Sequence, residues 1–199
     1  MKHYAPKFEL LQRIIGKENP VIVEIGSHFG EDSLRFLESF PGAELHCFEP
    51  DPRSIKVFKT YVKDPRVSLY EVALSDTEGV ATFYQSYQPA DAGAPPAKYD
   101  WIDESLYHEE ELSNSGSSSL KRGYQFNKSA TIEVTTRRFD SWLNEPGSPE
   151  EIDFAWIDVQ GAEKNVLEGM GVHIRKIKLI WIEYGETTYE GSLTRAATV

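Results

Sequence analysis

Two acidic residues, Glu24 and Glu49, end short apolar runs, and a glycine turn follows the first of them. Residues 21–30 read VIVEIGSHFG, and residues 45–51 read LHCFEPD. Glycine lets a backbone approach a ligand closely, and a carboxylate at the end of a second strand can accept hydrogen bonds from both hydroxyls of a ribose. The pattern therefore predicts a site for an unphosphorylated ribose, as in adenosine, S-adenosylmethionine or NAD.

The glycine turn discriminates between these ligands. A dinucleotide fingerprint needs three glycines, whereas this turn has Gly26 and Gly30 with Ser27 and His28 between them. The missing middle glycine disfavours NAD and FAD, because that glycine normally lets the pyrophosphate approach. S-adenosylmethionine carries no phosphate. The Glu24 carboxylate would suit its ammonium group, and a turn at a helix N-terminus would suit its carboxylate.

The elements that must position these residues follow an α/β pattern. Helical and strand-like segments alternate up to residue 73, which favours a mostly parallel sheet with helices on both faces. The predicted strands are 20–25, 44–49, 67–73, 79–86, 131–136, 151–160 and 178–184. The predicted helices are 4–16, 31–40, 52–62, 139–143 and 161–170. The pattern therefore predicts an α/β fold whose parallel strands are joined by right-handed crossovers.

Composition favours a single domain over residues 1–199. The sequence is 40% hydrophobic and 27% charged, with a net charge of −11 that would repel nucleic acid. No run approaches the roughly 20 apolar residues that span a membrane. Because the N-terminus also lacks the apolar segment of a signal peptide, we expect a cytoplasmic protein. The single cysteine, Cys47, lies in an apolar run and is expected to be buried.

Residues 87–129 interrupt the alternation and are rich in Pro, Ser, Gly and Asp. Loops of this length inside a domain are usually lids or disordered. Aromatic residues such as Tyr99, Trp101 and Tyr107 favour a partly ordered lid. We expect acceptor contacts to come mostly from this segment, and the run Ser117–Ser119 to bind substrate hydroxyls, to close over the cofactor or to be a flexible loop.

A series of motifs runs from Val21 to Tyr184 in the order VEIGSHFGEDSL, CFEPDP, VALSDTEGVATFY, SSSL, VTTRRFDSW, IDFAWIDVQGAEKNVLEGM and IWIEY. The series resembles the FkbM-type S-adenosylmethionine-dependent methyltransferases of class I, and IDVQGAEKNVLEGM is its most specific part. The resemblance implies a Rossmann-like methyltransferase fold. It also implies O-methyl transfer to a hydroxyl of a sugar, a glycan or a natural-product small molecule.

The resemblance also implies which residues contact S-adenosylmethionine. Glu49 would bind the ribose hydroxyls, Ala73 and Leu74 would lie at the adenine, and Asp158 would face the transferring methyl group or the acceptor. The complete set of predicted contacts is Glu24, Gly26, Ser27, His28, Gly30, Glu49, Pro50, Ala73, Leu74 and Asp158.

A hydroxyl acceptor loses its proton as it is methylated, so a base is expected. Asp158 is the first candidate, because it ends a strand on the side where ligands bind in open α/β sheets; it could equally cap the helix that follows. His28 and Glu183 are further candidates, but His28 could simply pack near the cofactor and Glu183 could be a plain strand-end acid. The histidines have no metal-ligand spacing, so no metal is predicted.

Three features depart from the resembling family. EIGSHFG replaces the usual DVGANIG, so His28 takes the place of a small polar residue, and Gln160 stands where a glutamate is usual. No C-terminal antiparallel strand pair is evident after Tyr184, so we expect either a truncated form of a longer protein or an open sheet edge, which would favour a homo-oligomer. Two alternatives stay open: an NAD-dependent oxidoreductase and a non-catalytic S-adenosylmethionine-binding module.

Overall fold

The structure is a computed structural model that describes residues 7–87, 102, 115–123, 129–183 and 189–192. Its helices are α1 (Phe8–Ile15), α2 (Glu31–Ser39), α3 (Pro52–Tyr61), α4 (Phe139–Leu143) and α5 (Glu163–Met170). Its strands are β1 (Val21–Ile25), β2 (Glu44–Phe48), β3 (Val67–Tyr70), β4 (Ala73–Ser75), β5 (Gly79–Ser86), β6 (Ser129–Arg138), β7 (Phe154–Ile157) and β8 (Ile180–Ile182). Short 3₁₀ helices cover Ser115–Ser117 and Gly171–Lys176.

The central sheet has five parallel strands in the order β3-β2-β1-β7-β8. The strand order reverses beside β1, because the chain runs outward to β2 and β3 on one side and later to β7 and β8 on the other. In open α/β sheets, ligands bind outside the carboxyl ends of the strands at such a reversal. The topology therefore places a crevice at the ends of β1, β2 and β7.

Alternate residues of β1 point to opposite faces of this sheet, and helices cover both. Ile22 packs with Phe36 of α2 and Phe58 of α3, whereas Val23 packs with Trp142 of α4 on the other face. Strands with apolar residues on both faces, such as β7, are typical of a parallel sheet that is buried on both sides. The predicted mostly parallel, Rossmann-like α/β fold is confirmed, and Cys47 is buried as expected.

A second sheet has three strands in the order β4-β6-β5. β4 runs parallel to β6, and β5 runs antiparallel to it. The prediction of one strand over 67–73 is therefore wrong in extent. The chain pairs with β2 as far as Tyr70 and with β6 from Ala73. The predicted strand is therefore two strands with different partners.

Other predicted bounds differ at their ends or lie partly outside the described residues. The strand predicted at 151–160 is shorter because the sheet pairing ends at Ile157 and the chain then turns. Of the predicted lid at 87–129, the structure describes 87, 102, 115–123 and 129, and residues 4–6 of the first predicted helix lie outside it. No strand follows β8 within the described part of the C-terminal region.

Among the described residues the longest helix is α3, with ten residues, and none is long and apolar enough to cross a membrane.

Candidate active site

A cavity opens at the carboxyl ends of β1, β2 and β7, where the strand order reverses. It holds about 530 Å³ of empty space, part of which is open to solvent. Its walls are largely apolar, with Phe48, Leu74, Phe83 and Leu120 among them. Most of the residues predicted to contact a cofactor line it: Gly26, His28, Glu49, Pro50, Ala73, Leu74 and Asp158.

The other predicted contacts lie beside this cavity. Glu24 and Ser27 line an adjoining cleft at the start of α2, and this cleft also contacts Asp158. Gly30 instead packs against α3. A side chain at Gly30 would place its Cβ 2.5 Å from Val62, and the backbone there has a φ of +90°. Gly30 is therefore placed to shape the turn.

Gly26 brings the ends of β1 and β7 together. Its φ is +88°, and a Cβ atom there would lie 1.8 Å from the carbonyl oxygen of Asp158. Only glycine can occupy this position without separating the two strands. The glycine turn therefore holds Asp158 at the reversal of the sheet.

Backbone N–H groups hold the carboxylate of Glu49. His28 N–H donates to Oε2 at 2.9 Å, and Asp51 N–H donates to Oε1 at 2.8 Å. The side chain is buried, and burial raises the pKa of Glu49 to about 8 despite these donors. Each oxygen keeps a further lone pair that can face a ligand in the cavity.

Glu24 is also buried, but side chains surround it. It accepts a short hydrogen bond from the Ser33 hydroxyl and contacts the Cys47 thiol at 3.6 Å. Burial raises the pKa of Glu24 well above its ordinary value. A cationic group in the adjoining cleft would favour the ionised form.

Ser27 is buried, and its hydroxyl has no hydrogen-bond partner among the described residues. Its backbone N–H is already used, since it donates to the Phe48 carbonyl oxygen at 3.1 Å. A buried unpaired hydroxyl that lines a cleft is expected to meet a ligand or water.

His28 links the glycine turn to the 3₁₀ helix Ser115–Ser117. Its ring nitrogens lie 2.9 Å from Glu31 Oε1 and 2.8 Å from Ser115 Oγ, and the backbone has a φ of +48°. A proton-accepting role would require one of these contacts to open. The role of His28 as a base stays a prediction, and the structure gives it a second one, which is to fasten the loop.

Asp158 lies at the meeting point of the cavity and the adjoining cleft. Gln160 Nε2 donates to Asp158 Oδ1 at 2.5 Å and to Glu183 Oε2 at 3.2 Å. Burial and the neighbouring Glu183 raise the pKa of Asp158 well above its ordinary value. Asp158 does not cap the next helix, because α5 starts after Ala162.

The described part of the predicted lid crosses the cavity. Ser119 pairs with Tyr84 of β5, and its hydroxyl donates to the Val159 carbonyl oxygen at 3.2 Å. Arg53 donates to Ser118 Oγ at 3.0 Å. Residues 115–123 therefore connect the second sheet to the end of β7.

Sequence reasoning missed several residues of this site. Tyr189 donates to Gln160 Oε1 at 3.0 Å, and Phe83 contributes to the apolar wall. The alternation of β5 could have pointed to Phe83 as an inward residue, but no motif marks Tyr189. Among the described residues, no group of three or more His, Cys, Asp or Glu side chains could hold a metal ion.

Comparison with known proteins identifies the family. The model for the methyltransferase FkbM domain matches residues 24–196. The 2-O-methyltransferase NoeI of Sinorhizobium fredii (strain NBRC 101917 / NGR234) is 37% identical over 183 residues, which cover 90% of this chain and 70% of NoeI. The methyltransferase sdnD of Sordaria araneosa is 28% identical over 167 residues, which cover 76% of this chain and 61% of sdnD. These matches do not favour an NAD-dependent oxidoreductase.

The resemblance predicted from the motifs is thus confirmed. The family match covers most of the sequence and agrees with the parallel central sheet. This chain is therefore a methyltransferase and belongs to the FkbM family.

Proposed function

We propose that this methyltransferase binds S-adenosylmethionine in the cavity and methylates a hydroxyl of a small-molecule or glycan acceptor. The main support is one apolar cavity with a carboxyl group at each end, the buried Glu49 at the end of β2 and the half-buried Asp158 at the end of β7. The relative NoeI is a 2-O-methyltransferase, which supports oxygen as the acceptor atom.

Glu49 is suited to hold the ribose. Its two oxygens are oriented by backbone N–H groups, and their remaining lone pairs can accept hydrogen bonds from two adjacent hydroxyls. Leu74, Phe83 and Leu120 offer an apolar surface for a flat ring such as adenine. These features fit the nucleoside half of the cofactor.

The adjoining cleft is suited to hold a charged tail. Glu24 can attract an ammonium group, and the unpaired hydroxyl of Ser27 can donate to a carboxylate. When bound, the cofactor would supply a methyl group on a positively charged sulfur. Asp158, which lies between the cleft and the cavity, is suited to stabilise that positive charge.

We assign Asp158 the role of the base that takes the proton of the acceptor hydroxyl. Its raised pKa makes its carboxylate a stronger base than that of an ordinary aspartate. Alignment of the hydroxyl with the methyl group would supply most of the acceleration, and such positioning contributes roughly 7–11 kcal/mol in favourable cases.

Calorimetry with S-adenosylmethionine and S-adenosylhomocysteine tests binding, and transfer of a labelled methyl group to a panel of sugars and glycans tests the reaction. Absence of binding at millimolar ligand would contradict the proposed site. Binding without transfer to any member of the panel would favour the non-catalytic module. A rise in melting temperature with NADH but not with S-adenosylhomocysteine would favour an oxidoreductase.

A further inference from the structure

The side-chain amide of Gln160 joins two carboxyl groups that come from different strands. Its Nε2 carries two hydrogens, and it lies 2.5 Å from Asp158 Oδ1 and 3.2 Å from Glu183 Oε2. Only the nitrogen of the amide can donate, so its orientation follows from the two acceptors. One amide therefore supplies one hydrogen bond to each carboxyl group.

Glu183 also acts directly on Asp158 and raises its pKa. Two neighbouring carboxyl groups can hydrogen bond to each other only when one of them carries a proton, because two carboxylates offer acceptors alone. Glu163 of α5 raises the pKa of Asp158 further, whereas the Tyr189 phenol, whose own pKa is raised, stays neutral beside it. The surroundings therefore favour a proton on the pair.

Tyr189 fixes the opposite end of the Gln160 amide. Its hydroxyl lies 3.0 Å from Gln160 Oε1 and 2.9 Å from the Ser117 carbonyl oxygen, so its single hydrogen is shared between two acceptors. The side chain is buried, and it packs closely over Gly161. A Cβ atom at Gly161 would lie 2.4 Å from Tyr189 Cβ, so glycine permits this approach.

We propose that Gln160 and Tyr189 are positioning residues that hold Asp158 and Glu183 as one pair with a single shared proton. The hydroxyl of Tyr189 keeps the oxygen of the amide turned away from the carboxyl groups, and the nitrogen then faces both. If the amide rotated by half a turn, its oxygen would meet two acceptors and the arrangement would lose both hydrogen bonds.

The catalytic meaning of this pair rests on the proposed function. As the new carbon–oxygen bond forms and the carbon–sulfur bond breaks, the acceptor hydroxyl gives its proton to the carboxylate of the pair. The pair then holds two protons and releases one to solvent. The products are one methyl ether, one neutral thioether and one proton. The proton carries the positive charge that the sulfonium carried before the transfer.

Carbon-13 NMR of the side-chain carboxyl groups tests the pair without any ligand. The signals are assigned with Asp158→Asn and Glu183→Gln. We expect Asp158 in the wild-type protein to titrate in two steps that are linked to its neighbour, with the upper step above the ordinary range of an aspartate. Gln160→Met should move the upper step upward by about one to two pH units, because it removes donors to a charged group.

Tyr189→Phe should move the same step by about half a pH unit, since it acts through Gln160. The matched control is Tyr87→Phe, because the Tyr87 hydroxyl donates to Gln85 Oε1 at 3.2 Å and Gln85 in turn donates to Asp51. This control removes the same kind of contact elsewhere and should leave the titration of Asp158 and Glu183 unchanged.

Two outcomes would overturn the proposal: independent titration of the two carboxyl groups in their ordinary range, or an unchanged upper step in both Gln160→Met and Tyr189→Phe. The melting temperature shows that each variant is folded. A wild-type protein that methylates no acceptor would refute the proposed function alone, since the titration needs no turnover. If an acceptor is found, the acidic limb of the turnover profile should move with the upper step.

Discussion

The carboxyl groups at the two ends of the cavity are held in different ways. At one end, Glu49 accepts hydrogen bonds from the backbone N–H groups of His28 and Asp51. At the other end, Asp158 accepts a hydrogen bond from the side chain of Gln160, and Glu183 lies close enough to raise its pKa. Backbone donors are present whatever the side chains are, whereas side-chain donors depend on residue identity. The Glu49 end should therefore tolerate substitution of its neighbours better than the Asp158 end.

The largest effect is expected for Asp158→Asn. Loss of the base should lower turnover by about 10²–10⁴-fold, with a smaller change in cofactor affinity. The measurement is turnover together with calorimetric binding of S-adenosylhomocysteine. Asp153→Asn is the matched control, because Asp153 is a buried acid at the opposite end of β7 that pairs with Lys17 and Lys178. It should lose stability and keep its turnover, and an intact rate in Asp158→Asn would exclude Asp158 as the base.

Gly26→Ala tests the backbone that connects the two ends. The added Cβ would lie 1.8 Å from the Asp158 carbonyl oxygen, so β1 and β7 must separate. We expect a loss of about 3 kcal/mol in the free energy of unfolding, from strain at positive φ and overpacking together. Denaturant titration measures it.

Gly147→Ala separates the two causes of that loss. Gly147 has a φ of +89°, close to that of Gly26, but a Cβ there would meet nothing within 4 Å. The control should lose only about 1–2 kcal/mol, the cost of the left-handed backbone. Equal losses in the two variants would show that the contact with Asp158 costs nothing.

Glu49→Ala should weaken binding of S-adenosylmethionine by about 1–3 kcal/mol, because two hydroxyls lose a shared acceptor. Calorimetry gives the change directly. Glu71→Ala is a suitable control, since Glu71 is an exposed acid that pairs with Lys59. An unchanged affinity in Glu49→Ala would remove the role assigned to it and leave the Asp158 end as the main site of recognition.

The smallest effect is a pH dependence at the Glu49 end. The folded protein holds a proton on Glu49 up to about pH 8, whereas an unfolded chain releases it near pH 4.5, so this group makes stability fall as the pH rises between these values. Binding of two hydroxyl donors needs the ionised form, so cofactor affinity should rise towards pH 8, by at most about tenfold per pH unit.

Calorimetry in buffers of different ionisation enthalpy detects the proton released on binding. Glu49→Gln should reduce this release but leave a remainder, because burial also raises the pKa of Glu24 and Asp158. A proton release that is the same in Glu49→Gln and in the wild-type protein would assign the release to Glu24 or Asp158 instead.

Much of the architecture could be predicted because it depends on local patterns. The strand predicted at 79–86 and the helix predicted at 139–143 have the bounds of β5 and α4. Alternation of apolar and polar residues and the turns around them define such elements within a few residues. The segment 67–73 could not be divided in advance, because nothing in VSLYEVA shows that its two halves pair with different strands.

The candidate site also has one part that the sequence predicts and another that it does not. Glu49 and the glycine turn were recognisable because a strand, a turn and an acid follow one another along the chain. The contact that orients Glu49 from His28 is also close to the turn. Gln160 was noted only as a missing glutamate, since the carboxyl groups that it joins lie 2 and 23 residues away.

The sequence by itself determined the α/β architecture, the glycine turn and the acid for a ribose, because these follow from apolar periodicity and from residue types at strand ends. Only the tertiary structure decided the meeting of Asp158, Gln160, Glu183 and Tyr189. β7 and β8 must pair before Glu183 comes near Asp158, and Gly161 must admit Tyr189 before Gln160 is oriented. These contacts join residues whose positions depend on how the whole sheet packs.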